Sequence, residues 1–146
     1  MNVSIREMCE NDYPDIGGLI KHELGYSDID FSSLFDRLRE TETDDNYMTY
    51  VAVRDNSVIG FIGLLKYIAY DLDNKCLRIL ALAVSEEHQR KGIGRMLLQR
   101  AERFAIESNI CRIMLTSNSK RHDAHIFYEH HHYIRKSYGF FKALNE

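Results

Sequence analysis

The stretch Gln89-Arg90-Lys91-Gly92-Ile93-Gly94-Arg95 lies between an apolar run and a segment of helical periodicity, and it constrains the fold more than any other part of the chain. Two glycines one residue apart let the backbone take left-handed conformations and approach a ligand closely. A helix starting there turns unpaired N–H groups and the positive end of its dipole towards the loop. Arg90, Lys91 and Arg95 add positive charge. An apolar strand, a glycine loop and a helix N-terminus in that order make a seat for a phosphorylated ligand.

Two well-known phosphate motifs fail. A P-loop needs four residues between its glycines and then Lys-Ser/Thr, whereas Gly92 and Gly94 are one residue apart and Arg95 follows. A dinucleotide fingerprint needs a third glycine where Leu97 stands, a tight loop, and an acid ending the next strand. Seven residues separate Val84 from Gly92, and the next apolar segment begins at Arg112 with no acid in it.

A third pattern, Gln/Arg-x-x-Gly-x-Gly/Ala, is satisfied by Gln89, Gly92 and Gly94. It resembles the pyrophosphate loop of the GNAT superfamily of N-acetyltransferases, which bind acetyl-coenzyme A. The surroundings carry the resemblance further. The run Leu77-Arg78-Ile79-Leu80-Ala81-Leu82-Ala83-Val84 looks like the fourth strand of that family, with its valine-like position five before Gln89. Ile93, Met96, Leu97, Ala101, Phe104 and Ala105 follow at helical spacing. Asn118, followed by Ala124-His125-Ile126-Phe127-Tyr128-Glu129, resembles the second cofactor segment. Order and spacing match across roughly residues 46–144.

A chain of 146 residues is expected to form one domain, 1–146, around a single core. Its net charge of −3 argues against a broad nucleic-acid face and leaves only the local basic patch at 89–95. The first residues, Met1-Asn2-Val3-Ser4-Ile5-Arg6, have no apolar signal core, and no apolar run approaches a membrane span, so the expected address is the cytoplasm. Cys9, Cys76 and Cys111 are odd in number and widely spaced, which fits reduced thiols; Cys76 and Cys111 adjoin apolar strands and read as small core residues.

Periodicity predicts a strand at 2–7 and a helix carrying Ile16, Leu19, Ile20 and Leu24, capped by Asn11 or Asp12 and ended by Gly25. A second helix follows Asp30. Strands at 46–54 and 57–67 meet at the turn Asp55-Asn56 as a hairpin. Strand 76–84, helix 93–107, strand 111–116, helix 122–131 and closing strands at 133–136 and 138–144 complete the order. Hairpins with one crossover helix imply a mixed α/β fold. The resemblance implies a mostly antiparallel central sheet with helices on both faces and a splay between strands 76–84 and 111–116, where the cosubstrate lies.

The activity the resemblance implies is direct attack of a neutral primary amine on the thioester of acetyl-CoA, within a ternary complex. Leu82, Ala83 and Val84 would offer backbone groups to the amide-rich pantetheine arm, which can bind like an added strand. Amides of Arg90, Lys91, Gly92, Ile93, Gly94 and Arg95, in the loop opened by Gln89, would hold the pyrophosphate, and Asn118 would bond the arm. Leu82 and Val84 also read as core residues, and Asn118 as a turn cap.

Tyr128 matches the tyrosine that many members use on the departing thiolate, and reads equally as a packing residue. Proton transfer from an unperturbed phenol to a thiolate is uphill by roughly 2 kcal/mol, which favours hydrogen bonding with water delivering the proton. The family's usual strand glutamate is Arg78 here, and a guanidinium stays protonated. Glu23, Asp30, Glu86 or a water chain are left as candidates for the base, and a less basic amine needs less help.

The histidines His122, His125, His130, His131 and His132 lack the His-Glu-x-x-His spacing, and three consecutive histidines point in different directions on a helix, so no metal is expected. His130-His131-His132-Tyr133 replaces what is often Lys-Leu-Gly-Phe, which removes a glycine from the helix exit. Acidic residues from Glu23 to Asp45 form either a rim that attracts a cationic amine or a solvated face. The expected acceptor is a small-molecule or peptide amine. A second copy of the chain is a further expected partner, because relatives are often dimers and Tyr138-Gly139-Phe140-Phe141 could serve an interface or the core. Two rival classes are a non-catalytic acyl-CoA-binding module and a nucleotide-binding regulatory domain.

Overall fold

The computed structural model describes residues 2–145. In chain order its elements are β1 (Ser4–Glu7), α1 (Tyr13–His22), α2 (Phe31–Glu42), β2 (Tyr47–Arg54), β3 (Ser57–Ile68), β4 (Lys75–Val84), α3 (Ile93–Glu107), β5 (Ile113–Met114) and α4 (His122–His130). They fall into two compact units, Met1–Met114 and Leu115–Glu146.

The first unit is a five-stranded sheet in the order β1-β2-β3-β4-β5, antiparallel except for the parallel β4–β5 pair. The β2–β3 hairpin turns on Asp55 and Asn56, both left-handed at φ 50° and 64°. A two-residue turn with both φ positive matches strand twist, and Asp and Asn tolerate that conformation better than most residues.

Alternation along the strands sends side chains to two helical layers. On one face Val51, Phe61 and Ala83 pack with Ile16 and Leu19 of α1, and Leu38 of α2 lies against that cluster. On the other face α3 covers the sheet, with the Phe104 ring edge-on to Tyr50 at 6.3 Å and the Arg100 guanidinium 4.3 Å from the Tyr50 ring centre. Gly60 makes this approach possible: a Cβ there would lie 3.0 Å from the Ala83 carbonyl oxygen and 3.2 Å from Leu97 Cδ1. Leu97, seated against Gly60, and Leu98 are fully buried.

At the N-terminal side Arg6 donates twice to the buried carboxylate of Asp12, at 2.7 and 2.9 Å, and the Cys9 N–H donates to it at 2.8 Å. Burial alone would raise the Asp12 pKa, but the Arg6 and Cys9 bonds hold it below the ordinary value.

From Cys111 onwards the chain departs from expectation. Residues 133–136 and 138–144 form no strand, and β5 is two residues long rather than six. The C-terminal segment runs beside residue 116, since a Cβ on Gly139 would lie 3.5 Å from Thr116 Cγ2, but no ladder forms. Aromatic and β-branched content favours a pleated, half-buried surface, not an isolated strand. Here the side chains of Ile134, Tyr138, Phe140 and Phe141 are exposed. Cys111 is also exposed, not in the core, whereas Cys76 is buried; all three cysteines are free.

Candidate active site

The strand β4 carries a bulge. Leu64 faces Ile79 and Gly63 faces Ala81, so Leu80 is an extra residue with no opposite number. A bulge bends its strand and increases local twist. The pairing of β4 with β5 is confined to Leu77 with Ile113 and Arg78 with Met114, and stops two residues before the bulge. From Ile79 to Val84 no described strand lies along that edge, which is the splay expected between these two strands.

Strand alternation decides which backbone groups face it. The Ser85 N–H donates to the Ile59 carbonyl of β3 at 2.8 Å. Groups two residues back along β4 therefore also point to β3, while those of Leu82 and Val84 point the other way, into the splay. Of the three residues expected to meet the cosubstrate arm, Leu82 and Val84 are so directed. Ala83 turns its backbone to β3 and its side chain into the α1 cluster.

Beyond Val84 the chain makes a short 3₁₀ turn, Glu86–His88, in which Ser85 Oγ and His88 Nδ1 are 2.7 Å apart. The Gln89 side chain folds back. Its Nε2 donates to the Val84 carbonyl at 2.9 Å and to Glu23 Oε1 at 3.3 Å, while the Glu86 N–H donates to Glu23 Oε2 at 3.1 Å. Then Arg90 and Gly92 take left-handed conformations at φ 63° and 84° around Lys91. Alternating conformations of this kind turn successive N–H groups into one concavity that suits an anion.

Helix α3 begins at once, with Gly92 as its cap and Met96 donating to the Gly92 carbonyl at 3.0 Å. The N–H groups of Ile93, Gly94 and Arg95 precede any intrahelical partner. Ile93 is buried and anchors the turn, while Arg90, Lys91 and Arg95 are exposed and no acid occupies the first turn.

In the second unit Asn118 organises the approach to α4. Its Oδ1 accepts from the Lys120 N–H at 2.9 Å, and its carbonyl accepts from the Arg121 N–H at 3.0 Å and from His125 Nε2 at 2.9 Å. The turn-cap reading of Asn118 is thus realised. His125 is structural, as its bond to Asn118 shows. Tyr128 packs edge-on against Phe127 and Tyr133, and burial raises its pKa, with Arg121 opposing in part.

The exit of α4 is a complete left-handed cap. His132 takes φ 72°, its N–H donates to Glu129, and the Tyr133 N–H donates to Tyr128. The missing glycine has not altered the geometry; a histidine occupies its conformation.

Arg78 stands on β4 between Leu65 and Met114. Two of the carboxylates considered as bases are committed elsewhere: Glu23 to the loop, and Asp30 to the cap of α2, where it accepts from the Ser33 N–H at 3.1 Å. A concavity of about 220 Å³ at the opposite end of the sheet gathers Glu7, Glu42, Asp44 and Asp45. There Glu42 accepts from the Tyr13 hydroxyl and Asp44 from the Asn46 N–H. Among the described residues no group of three His, Cys, Asp or Glu is placed to hold a metal ion, and no helix is long and apolar enough to cross a membrane.

The bulge at Leu80 and the bond from Gln89 to Glu23 were not visible in the sequence. The first has no residue signature, and the second joins residues 66 positions apart.

Comparison with known proteins adds four findings. The model of the acetyltransferase (GNAT) family matches residues 7–133. The chain is 30% identical over 122 residues to aminoalkylphosphonate N-acetyltransferase of Salmonella typhimurium, a match covering 84% of this chain and 79% of that one. Among solved structures, a transcriptional regulator from Bacillus halodurans C-125 superposes with TM-score 0.92 at 22% identity, covering 98% of this chain and all of the other. AAC(6')-Iy in complex with a bisubstrate analogue, CoA-S-monomethyl-acetylneamine, superposes with TM-score 0.85 at 14% identity over 99% of each. At these identities the two structures speak for the fold alone.

Proposed function

The chain belongs to the GNAT acetyltransferase family, and from that premise we propose that it moves the acetyl group of acetyl-CoA onto a primary amine of a small molecule or peptide, by direct attack in a ternary complex. The observation that carries this reading is the open edge of β4. It starts at the Leu80 bulge and runs into a loop whose residues 90–95 present amide N–H groups at the head of α3.

In this reading the diphosphate sits on the amides of residues 90–95, with Arg90, Lys91 and Arg95 neutralising charge. The pantetheine arm bonds Leu82 and Val84 like an added strand, and Asn118 contributes its side-chain amide. The Val84 N–H faces the thioester oxygen. As the amine nitrogen bonds to the carbonyl carbon, negative charge grows on that oxygen, and a placed N–H stabilises it. The C–S bond then breaks and the thiolate leaves.

Tyr128 stabilises the thiolate as a hydrogen-bond donor. A raised pKa makes the phenol a weaker acid still, so water supplies the proton and Tyr128 stays neutral. With Arg78 at the strand position and Glu23 and Asp30 engaged, deprotonation of the amine runs through water, which favours amines less basic than lysine. A free lysine-like amine is neutral in only about one part in 2,500 at pH 7.

The family match crosses the boundary between the two units, which supports a single acetyltransferase domain over 1–146. The cytoplasm, where three thiols stay reduced, is the compartment this reading assigns. A homodimer contact falls on the exposed aromatic segment around Phe140 and Phe141; sedimentation of a Phe140→Ser, Phe141→Ser double variant tests it.

The test of activity is acetyl-CoA-dependent thiol release over a panel of aminoalkylphosphonates, aminoglycosides, polyamines, arylamines, amino acids and peptides, corrected for the protein's own cysteines. Turnover on one class, greatly reduced in Tyr128→Phe, establishes the enzyme. Arg78 in place of a carboxylate favours one second reading, a non-catalytic acyl-CoA-binding module. CoA would then raise the melting temperature while no amine is acetylated.

A further inference from the structure

Glu23 is a carboxylate that reaches the loop from outside it. Its backbone is fixed from both sides: it ends α1 with its N–H on the Leu19 carbonyl at 2.8 Å, and Leu24 packs against the core cluster that contains Ala83. From there one carboxylate oxygen accepts from the Glu86 N–H and the other from the Gln89 amide. An amide nitrogen has two hydrogens. Gln89 spends one on Val84 and one on Glu23, so its side chain has no donor left for a ligand. The residue after Gln89 is Arg90, where the left-handed turn begins.

We propose that Glu23 is a positioning residue for the diphosphate loop: it fastens Glu86 and Gln89 to the end of α1 and thereby sets the direction of the amides of residues 90–95. This rests on the acetyl-CoA reading of that loop. A negative charge beside a diphosphate opposes binding through space, so a bystander carboxylate and a positioning one predict effects of opposite sign. Glu23→Gln removes the charge and keeps the size, but its amide offers one acceptor where two are used.

The experiment measures CoA affinity by calorimetry for the wild type, Glu23→Gln, Gln89→Leu and the double variant, with kinetics on acetyl-CoA and on S-acetylpantetheine, which lacks the diphosphate. Positioning predicts that Glu23→Gln weakens CoA binding roughly fivefold to tenfold. It also predicts unchanged kcat at saturating acetyl-CoA, an unchanged melting point without ligand, and unchanged kcat/KM on S-acetylpantetheine. The two substitutions share the Glu23–Gln89 bond, so their combined effect falls short of their sum. Equal or tighter CoA binding by Glu23→Gln overturns the proposal, and so does an equal loss on S-acetylpantetheine. If the wild type itself binds no CoA, the acetyl-CoA reading fails first and the positioning role with it.

Discussion

The strand β4 and the segment 138–144 are made of similar material and have opposite fates. Both are apolar and rich in residues that suit a sheet. Leu77 and Ile79 of β4 are buried, and the strand is hydrogen-bonded to β3 along its length. Tyr138, Phe140 and Phe141 are 90%, 98% and 90% exposed, with no ladder. What separates them is cover. Helices α1 and α3 close both faces of the central strands, so apolar residues of β4 such as Leu77, Ile79 and Ala83 gain burial on whichever side they point, while the bulged Leu80 stays 49% exposed. The C-terminal aromatics have the composition of a strand without a second surface to complete it.

The largest effect that sharpens this contrast is a paired truncation. Leu97→Ala opens a cavity beneath α3, where Leu97 is fully buried against Gly60, and lowers stability by about 2–5 kcal/mol. Phe141→Ala removes more atoms and changes stability by less than about 0.5 kcal/mol, as an exposed site should. Urea midpoints measure both. A Phe141→Ala loss as large as that of Leu97→Ala would break the contrast.

Next in size is the brace below the sheet. Asp12→Asn breaks a buried carboxylate from its Arg6 and Cys9 partners and costs about 1–3 kcal/mol at neutral pH. The sign with pH follows from the lowered folded pKa. The wild-type carboxylate contributes stability above its unfolded value near 3.9, and that contribution is lost as pH falls through the lower folded value. The variant therefore loses less stability than the wild type on acidification below about pH 4. Parallel acid limbs in thermal denaturation would remove Asp12 from the account.

Local chemistry made most of the first unit legible. Asp55-Asn56 identified the hairpin, Asp30 the start of α2, and Gly92 the head of α3, because each acts through its immediate neighbours. The Leu80 bulge was hidden because it depends on register against β3, and the Glu23 bond because it closes a loop of more than sixty residues. At β5 the run 111–116 looked like six residues of strand. Only two pair, since β4 turns away at the bulge and takes its hydrogen-bonding edge with it.

The loop after β4 offers a smaller test. Gly92 at φ 84° has no atom within 4 Å of where a Cβ would be, so space is not the obstacle. Gly92→Ala is strained by conformation alone, by about 1–2 kcal/mol. That strain falls on the amides proposed for the diphosphate. A melting point lowered by a few degrees, together with a reduced shift on adding CoA, is the expected result. An unchanged CoA shift would separate the left-handed turn from ligand binding.

The smallest effect compares two helix exits with one geometry. Asn109 after α3 and His132 after α4 both sit left-handed, at φ 57° and 72°, and both exits return N–H groups to the last turn of the helix. Asparagine adopts this conformation more readily than most residues because its short side chain can bond locally, so the first exit is nearly relaxed. Histidine at the second retains more strain. His132→Gly should relieve it and stabilise α4 by about 0.5–1 kcal/mol, after allowing for the extra freedom glycine gives the unfolded chain. Asn109→Gly should gain less. Amide exchange in the last turn of each helix reads both. Because the second unit has less cover than the first, slower exchange at His131 to Tyr133 in His132→Gly would show that local backbone conformation, rather than burial, limits the stability of that helix end.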